Sequence, residues 1–181
     1  MEERELPTLP SFLTDFCQYV SKAVGLPVVL GKRPFTAQYN EPFVAVWPTS
    51  FQNVGFDLSE YNDEIENRLI QKVRGLGILS LQVFSYGKGS FGLMKRLSLS
   101  VKTDEFSYFC ESHSAAITER SEVSNESAPL LDSNYEERAS ISFSFYADLP
   151  EEFDVAYFDH IHYVITTKGV RFEGEARAKE D

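Results

Sequence analysis

From Arg138 to Tyr146 the chain alternates without a break: Ala139, Ile141, Phe143 and Phe145 are interleaved with Ser140, Ser142 and Ser144. Successive side chains of a strand point to opposite faces, so this period of two gathers the apolar groups on one side. A strand of this kind, read from Tyr135 to Tyr146, requires a sheet with one covered face and one polar face. The N-terminal segment supplies a cover. Leu9, Phe12, Leu13, Phe16, Cys17, Val20 and Val24 recur at the helical period and form one stripe. Thr8 is placed to cap this helix, Pro10 fits its first turn, and Gly25 with Pro27 ends it.

Other segments extend the same scheme. Val28–Leu30 reads as a short strand ending at Gly31, 32–41 as a polar loop, and 42–47 as a strand closed by Pro48. Residues 49–64 are ambiguous between a short hairpin and an extended arm, and the polar segment 37–62 is a candidate arm that orders on contact with a neighbour. Residues 69–86 read as a long strand with a break near Gly75 and Gly77, where Leu79, Leu81 and Val83 alternate with Ser80, Gln82 and Phe84. After a turn at Gly87–Gly89, Phe91, Met94, Leu97 and Val101 predict a helix with Lys95 and Arg96 off its apolar stripe. Thr103 is placed to cap a further short helix carrying Phe106, Phe109 and Cys110. Then come a strand at 115–123, a polar loop at 125–134, the alternating strand, an acidic turn or loop at 148–154, a last strand or short helix at 155–167, and a charged tail at 170–181 expected to fray. Strands and helices mix without strict alternation. The expected fold class is therefore α+β, a mostly antiparallel mixed sheet with two or three helices on one face. At 181 residues a single domain spanning 1–181 is the default.

Charge is distributed unevenly. The net charge is −11, which disfavours binding nucleic acid through bulk electrostatics. Residues 67–102 hold seven basic residues (Arg68, Lys72, Arg74, Lys88, Lys95, Arg96 and Lys102) and no acidic one. Residues 103–159 hold fourteen acidic residues against Arg120 and Arg138. Blocks of this kind are ordinarily the solvated faces of one domain; they also suit a chain that meets copies of itself, basic face to acidic face, because charge sets register and partner choice. The residues expected at such an inter-subunit interface are Arg68, Lys72, Arg74, Lys95 and Arg96 on one side and Glu136, Glu137, Glu151 and Glu152 on the other.

Catalytic signatures are missing. Cys17 and Cys110 are the only cysteines, fit no metal or redox spacing, and are expected as free thiols in a reducing compartment. The opening MEERELP is acidic without an apolar core, so no secretory signal is expected, and the Asn125-Glu126-Ser127 glycosylation match is read as chance. No apolar run approaches the roughly 20 residues of a membrane span. Gly87-Lys88-Gly89-Ser90 has the flavour of a phosphate loop, but Val83 stands where the pattern needs its first glycine and Gly89 follows the lysine. The adjacent acids Glu136/Glu137 and Glu151/Glu152 point to opposite faces of an extended chain and do not make a glycosidase pair. His160 and His162 share a face if they lie on a strand, and with Asp159 or His113 they would offer a transition-metal site; two alternating histidines are far more often ordinary sheet residues, and alone they are weak evidence for a metal. No enzyme and no cofactor are expected.

Leu79-Ser80-Leu81-Gln82-Val83-Phe84-Ser85-Tyr86-Gly87 runs into a helix, and Tyr135-Glu136-Glu137-Arg138-Ala139 opens the alternating strand. With the leading helix, the short strand ending in glycine and the Pro42-Phe43-Val44-Ala45-Val46 strand, this layout resembles the neck and tail terminator proteins of tailed bacteriophages over residues 10–165. The chain departs from them in carrying Phe91 and Met94 where small residues are usual, and in its acidity. The resemblance implies a structural virion protein, a small α+β unit forming a hexameric ring at the top of the tail tube. The ring would cap the tube and meet the head connector or neck protein and, in contractile phages, the last sheath ring, with DNA only passing through its lumen. It implies a place in the neck of the virion after assembly in the host cytoplasm. Two other readings stay open: a binding module holding an apolar or peptide ligand near Tyr157, Phe158 and Tyr163, and a metal-dependent enzyme using His160 and His162.

Overall fold

In the computed structural model the described residues are 8–31, 42–55, 57–65, 68–129, 135–155, 160–167 and 170–177. The chain opens with α1 (Leu9–Val24), where Thr8 Oγ1 accepts from the Ser11 N–H and Gly25, at φ 75°, donates its N–H to the Ser21 carbonyl. The positive φ is the reason a glycine ends this helix. β1 (Val28–Leu30), β2 (Phe43–Asn53), β3 (Leu58–Ile65), β4 (Arg68–Arg74) and β5 (Leu76–Tyr86) follow. Next come α2 (Ser90–Ser100), α3 (Asp104–Ser112), β6 (Ala115–Arg120), β7 (Ser124–Asn125), β8 (Ala128–Pro129) and β9 (Tyr135–Glu136). β10 (Arg138–Asp148), β11 (Glu151–Val155), β12 (His160–Thr167) and β13 (Val170–Arg177) complete the described elements.

The main sheet runs β1-β2-β5-β10-β6, with β7 also paired to β10. Only β1 and β2 are parallel; the β2–β5, β5–β10 and β10–β6 pairs are antiparallel. The fold class is thus the α+β mixed sheet that the patterning demands. Leu79, Leu81 and Val83 of β5 and Ala139, Ile141, Phe143, Phe145 and Ala147 of β10 are buried on one face. Helices cover that face. The rings of Phe12 and Phe16 lie 5.5–5.9 Å from those of Phe143 and Phe145, mostly edge to face, and Phe106 of α3 adds a ring 6.2 Å from Phe145. Met94 and Leu97 of α2 enter the same cluster. On the opposite face Ser80 Oγ and Ser144 Oγ meet at 3.3 Å.

By contacts the chain divides into two compact units, Met1–Leu58 with Val73–Glu151, and Ser59–Lys72 with Glu152–Asp181. The first holds the main sheet and the three helices. In the second, β12 and β13 pair from His160 opposite Arg177 to Thr167 opposite Val170. A three-stranded sheet has the order β11-β4-β3.

Several local expectations are corrected. Pro48 does not close its strand: β2 continues to Asn53, with a register shift between Pro48 and Ser50. Proline cannot donate to the ladder, and the bulge absorbs the loss while the Thr49 hydroxyl donates to the Ser80 carbonyl at 3.0 Å. Of the expected arm at 37–62, residues 43–53 are β2, an inner strand of the main sheet, because Phe43, Val44, Ala45 and Val46 are all buried; residues 37–41 lie outside the described residues. The acidic stretch after Pro150 is a strand, β11, not a turn, and residues 170–177 are the paired strand β13, not a frayed tail. Within the expected polar loop at 125–134, Ala128 and Pro129 form β8, which pairs with β9 just beyond it; residues 130–134 lie outside the described residues. On α2 the inward stripe is Ser90, Met94 and Leu97, while Phe91 is 49% exposed. The break near Gly75 falls where it was expected, between β4 and β5.

Candidate functional site

The two motifs that open α2 and β10 meet in space. Tyr86 pairs with Arg138 in the β5–β10 register. One residue on, the Gly87 N–H donates to the Glu137 carbonyl at 2.9 Å, and the Gly89 N–H donates to Glu137 Oε2 at 2.6 Å. Gly87 and Gly89 have φ of 95° and 84°, a region that favours glycine, which explains their spacing in the turn. Ser90 Oγ donates to the Gly87 carbonyl at 2.5 Å. The Tyr86 ring is stacked on Phe43 with centroids 4.9 Å apart, and the Arg138 guanidinium carbon sits 5.6 Å from its centroid. Arg138 Nε donates to Glu136 Oε2 at 2.6 Å. The N-terminus of a helix attracts anions, and at α2 the anion is a carboxylate of the same chain. The turn is a structural lock, and the phosphate-loop reading loses its site.

Several of the charged residues expected at an interface have partners within the chain. Arg74 Nη2 donates to Asp148 Oδ2 at 2.8 Å, and Lys72 Nζ lies 3.9 Å from Glu152 Oε1, so two basic-block residues are paired with acidic-block residues of the same chain. Glu136 is engaged by Arg138 and Glu137 by the α2 turn. Glu151 and Glu152 are exposed on β11. Arg68 begins β4; its side chain is outside the described residues. Lys95 and Arg96 are exposed on α2, and among the described residues no ion pair engages either.

Around Lys95 and Arg96 the structure exposes what periodicity alone missed. Phe91 is 49% and Leu99 55% exposed, and with Lys95 they form an exposed line at four-residue spacing along α2. Lys88 and Lys102 are exposed at its two ends. On α3, Asp104, Tyr108 and Glu111 lie opposite the buried Phe106 and Phe109, and Tyr108 is 69% exposed. The available signal was that Leu99 and Tyr108 fall off the apolar stripes of their helices.

The metal reading gains no support. His113 bridges α1 and α3: its Nε2 lies 2.9 Å from Asp15 Oδ2, its Nδ1 2.8 Å from the Phe109 carbonyl, and its ring 4.5 Å from that of Phe109. Among the described residues no group of three or more His, Cys, Asp or Glu is placed to hold a metal ion. His160 and His162 lie two apart on β12, opposite Arg177 and Glu175, with side chains outside the described residues. Of the aromatics expected to line a ligand groove, Tyr157 and Phe158 lie outside the described residues and Tyr163 is on β12. No helix among the described residues is long and apolar enough to cross a membrane. Burial pushes the Cys17 thiol up to about 11 and raises Cys110 as well, the opposite of an activated nucleophile.

In comparison with known proteins, a family model described as phage neck terminator protein matches residues 11–174. No curated protein matches the chain.

Proposed function

The chain belongs to the phage neck terminator family, a structural component of the virion neck, and from this premise we propose that it forms a hexameric ring that caps the tail tube and joins the tail to the head connector. The family match over residues 11–174 carries this reading. Its partners are then other copies of itself, the tail tube protein and the adjoining neck or connector protein, with the sheath as a further neighbour in a contractile tail. DNA passes through the lumen without being held, in keeping with a net charge of −11. Assembly takes place in the host cytoplasm. No turnover is expected.

A head-to-tail ring needs two different patches on each subunit. The exposed apolar groups Phe91, Leu99 and Tyr108 are the kind that interfaces bury. Mass by light scattering, on the purified chain alone and mixed with the tube protein, tests the reading. A species near six times 20.6 kDa, seen as a ring by negative stain, is expected. A monomer under both conditions overturns it.

A further inference from the structure

We infer that the exposed side of α2 receives strand β3 of a second copy of the chain; the inference rests on the ring reading above and names one of its interfaces. Lys22, Lys72, Arg74, Arg120 and Arg138 all have partners within the chain: Glu105, Glu152, Asp148, the Ser98 carbonyl and Glu136. Lys88, Lys95, Arg96 and Lys102 differ. All four are exposed on α2 or at its ends, and among the described residues no ion pair engages them. They make a cationic patch on a chain with 28 acidic residues against 17 basic ones. Phe91 and Leu99, about half exposed, stand one turn either side of Lys95. Water solvates the cations but not these apolar groups, which a partner has to cover.

β3 has the complementary chemistry. Residues 57–66 hold Asp57, Glu60, Asp63, Glu64 and Glu66 and no basic residue. Along the strand Leu58 and Glu60 fall on one face and Ser59 and Tyr61 on the other. All four are exposed, Leu58 to 55% and Tyr61 to 62%, so neither face of this stretch is covered although each carries a large apolar group. β3 is also an edge strand of its sheet. The spacings agree: Leu58 and Glu60 are two strand residues apart, about 7 Å, and Lys95 is four helix residues from Phe91 and from Leu99, about 6 Å. With Glu60 on Lys95, Leu58 therefore falls on Leu99 or Phe91, whichever way the strand runs. Because α2 and β3 are different patches, the contact is heterologous, as a head-to-tail ring requires. A nucleic acid backbone fits the same side of α2 poorly, since Phe91 and Leu99 interrupt the cations.

The test is a charge swap in the full-length chain, read by light scattering and negative stain alone and with tube protein, with circular dichroism showing that each variant folds. Glu60→Lys and Lys95→Glu are each expected to weaken assembly roughly tenfold, and the chain carrying both changes is expected to regain it. In the assembled state, an equimolar mixture of Leu58→Cys chains with Leu99→Cys or Phe91→Cys chains is expected to give a cross-linked dimer on mild oxidation, and no single variant by itself is. Wild-type assembly with both charge variants unaffected overturns this interface and leaves the ring reading standing. Loss that the double change does not restore, absence of the cross-link from both mixtures, or DNA binding that Lys95→Glu abolishes while assembly persists does the same. A wild-type chain that stays monomeric with tube protein overturns both.

Discussion

Glu137 closes the turn before α2 twice, accepting the Gly87 N–H on its carbonyl and the Gly89 N–H on its carboxylate. The side chain stands at the positive end of α2, where N-terminal N–H groups lack helical partners. Glu137→Ala is expected to lower stability by about 1 kcal/mol, the cost of a lost cap, and Glu137→Gln by less, since the amide oxygen still accepts; urea unfolding separates them. At Gly87 the constraint is backbone. With φ at 95° and the Pro42 Cα 3.1 Å from where a Cβ would sit, Gly87→Ala is expected to cost roughly 2 kcal/mol in the same assay. Cys17 sets a pH dependence. The folded thiol, at about 11, holds its proton above the roughly 8.5 of an unfolded cysteine. Between those values the unfolded chain binds fewer protons, so stability is unchanged below about pH 8 and falls as the pH rises through this window. Thiol titration with a disulfide reagent at pH 8 should accordingly be slow in the native chain and fast in denaturant.

The helices are where pattern and packing diverge most usefully. Counting apolar residues along α2 yields Phe91, Met94, Leu97 and Val101; the fold buries Ser90, Met94 and Leu97. Ser90 is inside because its hydroxyl bonds the Gly87 carbonyl in the turn, and that rotation carries Phe91 outward. Met94→Ala should therefore destabilise the monomer by about 2–4 kcal/mol, whereas Phe91→Ala should change it by less than about 1 kcal/mol; thermal melts at a concentration where the chain is monomeric check the contrast. α1 follows its stripe closely, since Phe12, Leu13, Phe16, Val20 and Val24 all enter the core. In the sheet, β5 alternates along its length, and β10 does so except at Ser140, which is buried like its neighbours Ala139 and Ile141. Neighbouring strands on both sides leave such strands only one way to place their apolar groups.

At the scale of the whole chain, the apolar core of the described residues belongs to the unit built from residues 1–58 and 73–151. β12 and β13 form a two-stranded sheet, and a hairpin of two strands is marginal by itself. Native hydrogen exchange on the monomer should then show β5 and β10 as the slowest amides and β12–β13 faster by a factor on the order of 100; equal protection would contradict this ordering. Much of this was legible from residues alone: the one-sided strand, the capped N-terminal helix, the broken long strand at Gly75 and the α+β class all follow from periodicity and turn chemistry, which are local. The tertiary structure decided the rest. Whether Arg74 and Lys72 face a neighbour or their own Asp148 and Glu152 depends on which strands come together. Whether Glu137 is a surface charge or a helix cap depends on β10 reaching the α2 turn. Which side of α2 is left bare depends on how the helix is rotated against the sheet. Charge and hydropathy are properties of single residues, but partnership is a property of position in space, and only the fold assigns it.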